Sequence, residues 1–83
     1  MSLKARPEGL SPLSTQVYEV LDQHTSFPWP ALKTQAERAG FNPSLLSKAD
    51  LAKILDALVV SVERFSNPAN GAALRGKLLK LCA

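Results

Sequence analysis

The sequence is poor in the residues that build most active sites. It has one Cys, one His, one Trp, one Tyr, four Gly and three Phe in 83 residues. With Cys82 alone, an intrachain disulfide and a cysteine-based zinc site are both excluded. With His24 alone, any Ser–His or Cys–His nucleophile pair would have to use it. Its place at the end of the first predicted helix points to an ordinary C-terminal cap. Gly9, Gly40, Gly71 and Gly76 lie far apart and none precedes Lys-Ser or Lys-Thr, so no phosphate-cradling loop is present. The acids occur singly, without the repeated spacing of a carboxylate metal or acid–base site. There is no run of about 18 apolar residues to span a membrane. Met1 to Gly9 is charged and has no apolar h-region of the kind a signal peptide needs. A chain this short supports one small core, which excludes a doubly wound nucleotide-binding fold or a barrel enzyme. The expectation is a soluble cytoplasmic protein, not an enzyme, with no cofactor, no metal and no membrane partner.

Acidic charge is missing from the last quarter. Six basic and seven acidic residues precede Arg64, whereas Arg64 to Ala83 holds Arg64, Arg75, Lys77 and Lys80 and no acid. The net charge of +3 therefore originates at that end. Such a patch attracts phosphate or acidic protein, although basic residues near a helix C-terminus also complement the helix dipole.

What is present is helical punctuation. Met1 to Leu10 lacks periodicity and reads as a flexible arm (1–10) ahead of a single helical domain (11–83). Ser11-Pro12 is an N-cap followed by an N1 proline. Leu13, Val17, Val20, Leu21 and His24 then form one stripe of a helix over 12–24. The prolines of Phe27-Pro28-Trp29-Pro30 break it, and Phe27 and Trp29 are expected to fold back over the core. A second helix is predicted from Pro30 or Ala31 to Ala39, with Gly40 as its left-handed stop. Asn42-Pro43 repeats the start signal, so Ser44 to Ser47 is expected to form a helical turn. Ser47-Lys48-Ala49-Asp50 resembles a capping box that sets a break near Ser47. Leu51, Ile54, Leu55, Leu58, Val59, Val62 and Phe65 predict the central helix, Lys48 to Phe65. Ser66-Asn67-Pro68 opens a last helix, with Ala73, Leu74, Leu78 and Leu81 on one side. Gly71 and Gly76 serve it through close packing or mark fraying. The fold class is all-α, a compact bundle of four to five short helices.

One segment carries more than fold information. Residues 35–48, Gln-Ala-Glu-Arg-Ala-Gly-Phe-Asn-Pro-Ser-Leu-Leu-Ser-Lys, resemble the helix-turn-helix of phage-repressor and Cro-like DNA-binding domains. Ala36 stands where the two helices of that motif touch, Gly40 in its turn, and Phe41 and Leu46 where burial fixes the angle between them. The segment departs from the family at Gln35, where an apolar residue is usual, and in running Lys48-Ala49-Asp50 straight into the next apolar stripe. The resemblance implies that Asn42 caps a recognition helix. It also implies that Asn42, Ser44, Ser47 and Lys48 face double-stranded DNA while Lys33 and Arg38 clamp its backbone. Arg75, Lys77 and Lys80 would add sequence-independent attraction. Transcription regulation as a homodimer follows, because one motif makes too few phosphate contacts for tight specific binding. A winged variant would fold 58–65 and 73–81 into a hairpin.

A second function class stays open beside it. Gly40-Phe41-Asn42-Pro43 is also ordinary chemistry for joining two helices of a bundle. Trp29, Leu45, Val60 and Leu79 lie at or beyond the edges of their stripes. An interaction module without nucleic-acid binding, such as an adaptor or inhibitor subunit, would use such residues to contact another protein.

Overall fold

The α-helices start where the caps direct. In the computed structural model, which describes residues 8–83, α1 runs Pro12–His24 with Ser11 as N-cap, its side chain accepting from the Ser14 N–H at 3.2 Å. The arm expected over 1–10 falls mostly on residues 1–7, which lie outside the described residues. α2 is Pro28–Arg38, α3 Lys48–Glu63 and α4 Pro68–Cys82, and the described residues contain no strand. The bundle is all-α, as the periodicity predicts. The winged variant fails, since 58–63 is the end of α3 and 68–82 is helical.

α2 begins earlier than expected. Pro28 and Pro30 both fall in its first turn, where main-chain N–H groups have no intrahelical acceptor to lose. Trp29 lies half-buried against the core, but Phe27, expected to do the same, is 60% exposed. At its far end α2 stops in a Schellman motif: Gly40 (φ 84) donates to the Glu37 carbonyl at 3.0 Å and Phe41 to the Ala36 carbonyl at 2.8 Å.

α3 opens with the capping box. The Ser47 side chain accepts from the Asp50 N–H at 3.1 Å, and the Asp50 carboxylate accepts from the Ser47 N–H at 3.2 Å. Its stripe of Leu51, Ile54, Leu55, Leu58, Val59 and Val62 is buried, each side chain contributing roughly 1.5–3 kcal/mol. Phe65 leaves that stripe. α3 ends at Glu63, and turn bonds from Phe65 to Val62 and from Ser66 to Glu63 swing the ring outward, where it is 80% exposed.

α4 starts on the Asn67 side chain, which accepts from the Asn70 N–H at 2.8 Å. Leu74 and Leu78 are buried and Leu81 is half-buried, but Ala73 is exposed and Gly71 takes the inner position. A Cβ at Gly71 would collide with the Glu63 side chain, so this glycine lets α4 approach α3, whereas Gly76 faces open space. The helices pack in a ring: α1 against α2 and α4, and α3 against the same two. His24 does not act as a cap for α1. Its Nδ1 meets the Asn70 side-chain oxygen at 2.7 Å, while the Asn70 amide donates to the His24 carbonyl at 2.9 Å, tying α1 to α4.

Candidate interaction face and the distribution of the basic residues

The connection between α2 and α3 spans 39–47, and the helical turn expected over Ser44 to Ser47 is absent. Local and long-range polar bonds replace it. The Asn42 side chain accepts from the Ser44 N–H at 2.9 Å, an Asx turn, and Leu45 donates to the Asn42 carbonyl at 3.1 Å. The start of α1 then holds the strand of loop that follows. Ser11 N–H donates to the Ser44 carbonyl at 2.8 Å, and the fully buried Ser14 hydroxyl accepts from the Leu46 N–H at 3.0 Å. Pro43 and Leu46 are buried and Leu45 is 62% exposed. Asn42 therefore caps no helix, and Ser47 caps α3 six residues before Lys53.

The basic residues expected to contact DNA are carried by three different helices. Arg75 pairs with Asp56 of α3, and Lys77 donates to the Gln23 side chain of α1 at 2.7 Å, so these two straddle α4. Lys48 reaches the Ala83 main-chain oxygen at 2.6 Å, which brings it to the end of α4 whose last turn carries Lys80. Lys33 and Arg38 are exposed on α2. Lys53 lies over the Phe41 ring at 5.8 Å from its centroid.

Of the four edge residues expected to mark a protein contact, Trp29 packs on the core. Leu45 sits on the 39–47 connection, Leu79 (53% exposed) on α4, and Val60 (43% exposed) on α3. Val60 borders a groove between α2 and α3. One compartment, ≈ 370 Å³, has Phe27, Pro30 and Ala31 on one side and Val62 and Phe65 on the other. It continues past Thr34 and Ser61 into a second compartment of ≈ 480 Å³, bordered by Arg38, Asp56, Val60 and Arg64. Phe65 borders both.

Phe27 and Phe65 were not singled out from the sequence as surface residues. The signal was present: Phe27 directly precedes Pro28, and a residue before proline is steered out of helical geometry. Phe65 directly precedes the Ser66-Asn67-Pro68 start, which requires the chain to leave α3 there. Among the described residues no group of three His, Cys, Asp or Glu side chains comes together to hold a metal ion. No described helix is long and apolar enough to cross a membrane. Comparison with protein-family models, curated proteins and solved structures finds no match for this chain.

Proposed function

We propose that this chain is a helical protein-interaction module that uses the α2–α3 groove to hold an apolar segment of another protein. The observation that carries this reading is the pair of phenylalanines, 60% and 80% exposed, that both line one groove between helices whose own large apolar residues are mostly buried. Exposed aromatics clustered at a concave site are the usual anchors of protein recognition. A peptide-display library selected on the full chain tests it. Selected peptides should lose about tenfold or more in affinity on Phe65→Ser, with the circular-dichroism spectrum unchanged. Selection of nothing, or of peptides indifferent to Phe27→Ser and Phe65→Ser, would remove the reading.

A dimeric helix-turn-helix DNA-binding regulator is the second proposal. It is supported by the Gly40 corner and by the solvent-facing N-terminal end of α3, where Ser47 and Lys48 are exposed. In that reading duplex DNA binds in a strongly salt-dependent way, and Lys48→Glu weakens it. A salt-titrated binding assay run beside sedimentation separates the two proposals.

A further inference from the structure

The two compartments of the α2–α3 groove differ in chemistry. From that difference we infer that the occupant is an acidic amphipathic helix of another protein, an inference that rests on the interaction-module reading. The apolar compartment is walled by Phe27, Val62 and Phe65. The adjoining one carries Arg38 and Arg64, both exposed. Asp56 borders the same compartment, but its charge is already met by Arg75. Arg38 and Arg64 have no ion-pair partner among the described residues. The groove therefore presents an apolar cleft with two uncompensated cations beside it, a pattern complemented by bulky apolar side chains flanked by carboxylates.

The shape specifies the secondary structure of that occupant. Ala31 and Thr34, one turn apart on α2, and Ser61 on α3 are small side chains lining the groove, leaving room for larger ones to enter from outside. The bordering part of α3, Asp56 to Val62, extends for roughly 9 Å, about two turns of a docked helix. No described strand offers an edge for an extended peptide, so an amphipathic helix with apolar residues at i, i+3 or i+4, and i+7 is the mode that fits. A second copy of this chain docking groove to groove would set Arg38 and Arg64 against their own copies, like charge against like.

The test uses the full chain and the display selection described above. The enriched peptides should be net acidic and helical when bound. Their affinity should fall about tenfold on Arg38→Glu with Arg64→Glu and by less on Arg38→Gln with Arg64→Gln; both substitution sites are exposed, so folding should be unaffected. Raising NaCl from about 0.05 M to about 0.3 M should weaken them as well. A neutral or basic enriched pool, or acidic peptides indifferent to the arginine substitutions yet sensitive to Phe65→Ser, overturns the acidic occupant and leaves the interaction module intact. Loss of Phe65 sensitivity overturns both. Duplex DNA displacing the peptides from the groove, or a dimer that Phe65→Ser dissolves, identifies a different occupant and likewise overturns the inference.

Discussion

The 39–47 connection and the α2–α3 face behave in opposite ways. The connection is polar at Asn42, Ser44 and Ser47, which looks like a surface offered to a partner. Yet these residues spend hydrogen-bonding groups on the chain itself: an Asx turn, a bond to Ser11 and a capping box. The α2–α3 face consists of regular helix and looks like hidden core, yet Phe27 and Phe65 stand in solvent beside it. Residue polarity alone therefore misjudges both regions. What separates them is whether another element supplies partners. α1 supplies them to the connection, and no described helix covers the groove.

The comparison breaks most clearly at Ser14. Ser14→Ala removes the buried acceptor of the Leu46 N–H and should cost about 1–3 kcal/mol. A chemical-denaturation midpoint equal to that of the unsubstituted chain would show that α1 does not pin the connection. A somewhat smaller loss is expected at its first corner. Gly40→Ala forces a Cβ into φ 84 and should destabilise by about 1–2 kcal/mol, with no steric clash adding to it. Gly76→Ala, exposed in mid-helix and facing open space, should instead stabilise by about 1 kcal/mol. Thermal unfolding of the pair reads the opposite signs directly. The smallest effect belongs to the groove: Phe65→Ser should leave stability within about 0.5 kcal/mol, because the ring is 80% exposed. A large loss would mean that Phe65 serves the core and not a binding face.

Much of the fold was legible in the sequence because its signals act over a few residues. Ser11, Ser47 and Asn67 each cap a helix three residues before the N–H they accept from, and the prolines after Ser11 and Asn67 sit at the first helical position. The α3 stripe was readable for the same reason, except at its end, where Phe65 continues the period but the helix has stopped. Asn42-Pro43 misled because an Asx turn and a helix N-cap use the same side-chain oxygen over nearly the same spacing. The groove was harder to see. Phe27 and Phe65 are 38 positions apart in the chain and come to line one groove only once α2 and α3 pack together.

The sequence by itself determined the helices, their capped starts and the apolar stripes they bury, since caps and stripes depend on residues within a turn or two of each other. Tertiary structure decided that residues 42–47 stay irregular and that Phe27 and Phe65 remain uncovered. Both outcomes depend on what neighbouring helices bring: two serines at the start of α1 satisfy the loop's backbone, and no described element arrives over the aromatic pair.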